Sequence, residues 1–284
     1  MTNWKAMATL ILILLAGAYA TADDLSQPNA AVVYKAAADA IRVPSPADMA
    51  IKVPEFPAWS AEWQKAAAAT WNGDGETCRL AHVARSINQA QWETDIQLVP
   101  AQTQRIRRLS AVLGAAALYQ DWQGNDAQAI EEIDDLLHLS KLLLNSQGPW
   151  SGIQGLCGAG VQAIAVDRIN LIACHVRLTN DLHNPRDLQI SVARSFIRQL
   201  ESEPNVVAQL GIGFANAVVP SVAQQHAQQA MDIGQRCDAE RLCAAIILAC
   251  HVYQFEKQSW PSTLNDLVPA YLPQIPIDPT GDGQ

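Results

Sequence analysis

The chain lacks the short patterns that announce chemistry. It has no H-E-x-x-H, no C-x-x-C, no G-x-S-x-G and no P-loop run, so none of the reactions tied to those spacings is indicated. Charge is scarce: Asp, Glu, Lys and Arg make up 17% of the 284 residues, and no basic cluster offsets 28 acidic against 19 basic residues. A net charge of −9 without a phosphate-neutralising patch argues against nucleic acid as a partner. No stretch alternates convincingly between apolar and polar residues, which removes the main signature of half-buried strands. Aromatic residues are few outside eight tryptophans.

What is present is helical periodicity. Across residues 105–144, Ile106, Leu109, Leu113 and Ala116 recur at helical spacing, widened by Val112 and Tyr119. Ile130, Ile133, Leu137 and Leu144 repeat the pattern after Gln123-Gly124-Asn125. Gly124 can end the first helix in a left-handed conformation, and Asn125 or Asp126 can cap the second. So short a connection predicts two antiparallel neighbours. Glu131, Glu132, Asp134 and Asp135 are expected mostly on the solvated face. Small residues at Ala116 and Ala129, with Gly124 at the turn, give the pair a tetratricopeptide-like character, but no 34-residue period is sustained.

Residues 1–22 read as a signal peptide. Lys5 supplies the positive start, residues 6–20 a short apolar run, and Ala18-Tyr19-Ala20 or Ala20-Thr21-Ala22 a small-x-small cleavage pattern. The run is shorter than the roughly 20 residues that span a bilayer. The alternative is an uncleaved anchor, and membrane contact is expected only in that case. Residues 23–258 form the helical domain and 259–284 a Pro-rich C-terminal segment. Within the domain, helices are expected from about residue 29 to 42, 58 to 71, 76 to 88, through the hairpin, from 150 to 178, 184 to 203, 205 to 233 with a kink at Pro220, and 238 to 257. Four prolines mark residues 43–57 as a loop, and Asn72-Gly73-Asp74-Gly75 as a break. Gly152, Gly155, Gly158 and Gly160 suggest close approach of a neighbouring helix.

Candidate sites are weak. Cys243, Cys250 and His251 fall at i, i+7 and i+8, too far apart for one helix to place all three on a zinc ion, although Cys174-His175 could contribute. The six cysteines permit disulfides in an exported chain, with Cys237, in an expected polar connection, the first candidate. Buried free thiols are the alternative. Glu131 and Asp135 share a helix face as an acid–base pair could. Asp278 and Asp282 flank a turn that could contribute to calcium binding. Trp59, Trp63, Trp71, Trp92 and Trp122 could line a groove for a peptide or glycan, or fill a helical core. His82, His138, His183 and His226 have no chemical partner nearby in sequence. No catalytic, cofactor-binding or metal-ligating residue is assigned, and no cofactor is expected.

The tail carries one resemblance. Trp260-Pro261, then Leu264-x-x-Leu267-Val268-Pro269-x-Tyr271-Leu272-x-x-x-Pro276-x-Asp278-Pro279, resembles a segment of an uncharacterised family of exported planctomycete helical proteins. Asn29-Ala30-Ala31 and the acidic helix after Gly124 agree with it. Asp278-Pro279-Thr280-Gly281 is also similar to the tail of type II secretion pseudopilins, but Trp260 stands where those have Tyr. The resemblance implies an exported helical chain and brings no activity or site residues. Pro261 ends the preceding helix, Ser262 is expected to cap a short helix, and Leu267, Val268, Tyr271 and Leu272 are expected to cover apolar surface.

The expectation is therefore an all-α, irregular helical array with tetratricopeptide-like antiparallel pairs and a Pro-rich clamp. Its expected role is non-enzymatic, mediating protein–protein interaction in the periplasm or cell envelope, and its expected location is periplasmic or secreted. A Trp-lined ligand-binding module and an enzyme with a site assembled only in three dimensions are the alternatives.

Overall fold

The computed structural model describes residues 28–41, 60–95, 97–147, 150–203, 205–215, 220–277 and 279. These build an all-α array. Helix α1 spans Ala30–Ala40, α2 Ala61–Arg85, α3 Val99–Trp122, α4 Asp126–Leu144 and α5 Ser151–Ala173. Two-residue strands β1 (Leu178–Thr179) and β2 (Leu188–Gln189) pair in parallel, with Leu178 opposite Leu188. Then come α6 (Ile190–Ser202), α7 (Val206–Ala215), α8 (Pro220–Lys257) and a 3-10 turn at Leu264–Leu267. The signal segment, the loop at 43–57, Trp59 and the Asp278/Asp282 turn lie outside the described residues.

Stacking follows the antiparallel-pair logic. Consecutive helices from α1 through α5 pack on each other, α1 also meets α3, α2 meets α4 and α3 meets α5, and α5 goes on to meet α7 and α8. The α3–α4 turn is a Schellman closure: Gly124 N–H bonds to Asp121 O at 2.8 Å and Asn125 N–H to Gln120 O at 2.8 Å. Gly124 takes φ +71°, as the sequence predicts. Asn125 does not cap α4; its amide instead donates to Gln120 Oε1 at 2.8 Å. Ile106, Leu109, Val112, Leu113, Ala116, Ile130, Ile133, Leu137 and Leu144 are all buried.

Glycine does what was expected of it on α5. A Cβ at Gly158 would sit 3.0 Å from both Leu143 Cβ and the Leu144 backbone nitrogen, so α4 and α5 meet here at backbone range. Ser140 Oγ donates to Gly158 O at 2.9 Å across the same contact. Helix α5 is long and apolar enough to cross a membrane by length and composition, and half of its most apolar window is buried inside the fold.

Several boundaries differ from expectation, each for a local reason. Helix α2 runs through 72–75 with only Asp74 out of helical geometry (φ −116°, ψ 17°), a kink rather than a break. Residues 184–189 form a turn and β2, so α6 starts at Ile190 and not at Asn184. Asn184 Oδ1 accepts from the backbone N–H of Arg186 at 3.0 Å, the local turn that competes with helix. The described part of α8 starts at Pro220, and the join to α7, where the kink was expected, lies outside the described residues. Helix α8 continues through 234–237, which places Cys237 in a helix, buried, and not in a polar connection.

The tail closes the array. Thr263, not Ser262, is the N-cap, in a reciprocal capping box with Asp266. Leu267, Tyr271 and Leu272 are buried, with Val268 packed beside them. Arg194 on α6 donates to Ala270 O at 2.9 Å and to both Glu256 oxygens on α8 at 2.7 and 2.8 Å. Its guanidinium stands 5.0 Å over the Tyr271 ring, while Tyr271 Oη donates to Glu256 at 2.9 Å. The clamp is thus both apolar and ionic.

Candidate functional site

The acidic run on α4 is not a solvated face. Glu132 is 2% exposed and Asp135 1%. Helix α4 has α2, α3 and α5 packed around it, so one polar stripe is forced inward against α2. On α2, Cys78, His82 and Arg85 repeat at spacings of four and three and so share a face. Arg85 is the hub: it donates to Asp134 Oδ2 at 2.7 Å and to Glu131, and its Nε lies 3.4 Å from Asp135 Oδ1. His82 Nδ1 stands 3.6 Å from Glu131 and 3.7 Å from Asp135. The structure therefore brings Glu131 and Asp135 together, but around a cation that neutralises them.

Burial dominates the acid–base properties of this cluster. It pushes the Glu132 carboxyl up to about 7, against the opposing pull of Gln128, Cys78 and Arg85. It pushes Asp135 up to about 8, with Arg85 opposing and Glu132, Asp134 and Glu131 reinforcing. Burial also raises the Cys78 thiol well above its ordinary value, so it is held as a thiol and not as the nucleophilic thiolate. On the far side, His138 Nδ1 meets Tyr34 Oη at 2.8 Å, and desolvation lowers its ring to about 4, leaving it neutral. His82 and His138, without a partner nearby in the chain, each gain one in the fold.

A cleft of about 610 Å³ opens on this cluster, with Cys78, His82, Gln120, Asn125, Gln128 and Glu132 among its walls. A second opening, of about 320 Å³, is a groove between α1 and α3 that Gln91, Trp92, Glu93 and Leu98 also line. Its floor is Tyr34, Trp92 and Ile106; its rim carries Val32, Leu98, Lys35, Gln102 and Arg105. Val32 and Leu98 are 42% and 49% exposed. The groove wall is well fixed, because Asn29 Oδ1 accepts from Ala31 N–H at 3.0 Å and from Gln91 N–H at 2.9 Å, tying the start of α1 to Gln91. Arg105 reaches Asp39 at 2.9 Å.

The other sequence candidates separate. Trp63 is core, and Trp92 is buried, its ring centroid 6.5 Å from that of Tyr34. Trp122 is exposed against Tyr119, centroids 5.7 Å apart. These three do not converge on one groove; the Trp59 and Trp71 side chains lie outside the described residues, as does that of His226. Among the described residues no group of three or more His, Cys, Asp or Glu side chains is placed to hold a metal ion. His251 packs edge-on against Trp260, 5.2 Å between centroids, and hydrogen-bonds to the Cys174 backbone. All six cysteines are free thiols. His183 offers only its backbone N–H, to Asp181 Oδ1 at 2.9 Å.

The chain matches no family model, no curated protein and no solved structure.

Proposed function

We propose that this is an exported, non-enzymatic helical protein that binds a partner protein in the periplasm or at the cell envelope through the α1–α3 groove. The carrying observation is the composition of that groove: exposed Val32 and Leu98 beside Lys35 and Arg105, over an aromatic floor of Tyr34 and Trp92. Arg105 is held by Asp39, and Lys35 is the rim cation left for an apolar peptide segment that carries a carboxylate beside its anchoring side chain. Paired helices that stack and leave one face open are a common platform for such segments, and this part of the reading is analogy. Export rests on the N-terminal apolar segment and the tail resemblance.

The test is site-specific photo-cross-linking from position 32 in cells, read by mass spectrometry, alongside Val32→Asp and Leu98→Asp variants. A reproducible partner whose capture is lost in both folded variants supports the reading. Capture that survives both substitutions, or no reproducible partner in the native envelope, refutes it.

An enzymatic reading is favoured by one observation, the pair of raised carboxyls Glu132 and Asp135 beside His82. Against it, the thiol in the cleft wall, Cys78, is held protonated by burial.

A further inference from the structure

The cleft beside the α3–α4 turn is walled largely by hydrogen-bond donors that groove binding does not use. Asn125 Nδ2 donates to Gln120 Oε1 at 2.8 Å, which leaves the Gln120 amide nitrogen as a donor in the wall. Gln120 is 6% exposed, and among the described residues nothing accepts from that nitrogen. A buried donor left unmade is costly to a fold, so it marks a place where an acceptor is wanted. Arg85 donates to His82 Nδ1 at 3.2 Å, a bond that puts the ring proton on Nε2 and makes His82 a second donor. No side chain caps the N-terminus of α4, and Asn125 and Gln128, at that end, line the cleft too. The N-terminal end of a helix dipole is positive.

Charge points the same way. Glu132 is the one carboxyl among the lining residues, and burial pushes it up to about 7, so at pH 6 it stands mostly as the neutral acid. Glu76, Glu131 and Asp134 lie outside the wall and are paired, the first with Arg79 and the others with Arg85. Arg79 gives Nε and Nη2 to Glu76 at 2.7 and 2.6 Å, so that pair brings no net charge to the cleft. Arg186, exposed on the turn before β2, makes no ion pair among the described residues and is the unneutralised cation of the wall. Gly75, Cys78 and Pro185 complete the lining with uncharged surface. One free guanidinium among neutral donors matches a single negative charge shared by two coplanar oxygens, the shape a guanidinium fork takes best.

We propose that the cleft binds a small organic monocarboxylate, its carboxylate held by Arg186 and the Gln120 amide and its body lying against Gly75, Cys78 and Pro185. This site is independent of the α1–α3 groove and of the function proposed for it.

The probe is benzoate, titrated calorimetrically into the full folded protein at pH 6 and low salt. Saturation is expected below roughly 10 mM. Benzamide, of the same shape without the charge, should bind at least about tenfold more weakly, and inorganic phosphate should compete poorly. Arg186→Ala removes an exposed side chain and should leave the fold intact while weakening benzoate about tenfold. Arg198→Ala deletes the same charge from an exposed position on α6 outside the cleft wall, and should change affinity less than about twofold. The proposal is overturned by no saturation at roughly 10 mM, by benzamide binding as well as benzoate, or by phosphate binding as tightly. It is equally overturned by undiminished affinity in Arg186→Ala, or by an equal loss in Arg198→Ala, which would reduce the effect to net charge.

Discussion

Replacing Glu132 by Gln should stabilise the protein, and by an amount that grows with pH. Burial is the main cause of the raised carboxyl, so the folded state holds this proton more tightly than the unfolded chain does. Folding stability from this group is then fully present below about 4.5 and is lost as pH rises through about 7. The gap between those values is worth roughly 3 kcal/mol. Glutamine has the same shape and no proton to lose. Its stability relative to the unmodified protein should therefore rise by about 2–3 kcal/mol between pH 5 and pH 8. Urea titrations at the two pH values measure it. His138 works in the opposite sense: burial lowers it to about 4, so its contribution is lost as pH falls from 6.5 towards that value. That term is common to both proteins and cancels in the difference. Parallel stability–pH curves, with the difference changing by less than about 0.5 kcal/mol, would refute the claim that Glu132 is folded away as a neutral acid.

Three further outcomes are expected. Leu113→Ala and Ile133→Ala, both fully buried on facing helices, should each cost about 2–5 kcal/mol in chemical denaturation; losses under about 1 kcal/mol at both would misplace the core. Arg85→Met leaves three acidic groups without their cation and should cost about 3 kcal/mol at pH 8, and less at pH 5 where Asp135, raised to about 8, carries its proton. A flat pH response in that variant would mean that Arg85 contributes packing alone. Gly158→Ala places a methyl group 3.0 Å from the Leu144 backbone and should lower stability by about 1–3 kcal/mol, whereas Gly160→Ala, which meets nothing within 4 Å, should be neutral or stabilising.

The apolar stripe was readable because periodicity reports one buried face per helix. Ile106, Leu109 and Leu113 on α3, and Ile130, Ile133 and Leu137 on α4, lie where their spacing predicts. The same reasoning misplaced Glu132 and Asp135, because it assigns everything outside the apolar stripe to water. Helix α4 has neighbours on three sides, and only a tertiary partner decides whether its polar stripe is wet. A signal did exist: Cys78, His82 and Arg85 on one face of α2 form a partly cationic stripe of matching pitch. Reading it requires knowing that α2 and α4 stack, which no local pattern encodes. Cys237 and the start of α6 were misread for a related reason. Short polar stretches such as residues 184–189 and 234–237 look alike in sequence, yet the first folds into a turn and strand and the second continues α8.

The Arg194–Glu256–Tyr271 clamp has a bearing on how the chain comes into being. Helices α1 to α5 touch mainly their near neighbours in sequence, so they can settle one after another as the polypeptide is delivered from its N-terminus. The seam between α6 and α8 cannot, because its last pieces, Ala270 and Tyr271, lie at the far end of the chain. Until those residues emerge, the apolar surface that Leu267 and Leu272 will cover stays open. A stalled or clipped chain would thus keep a formed front half and a sticky rear, and so make a substrate for chaperones and proteases.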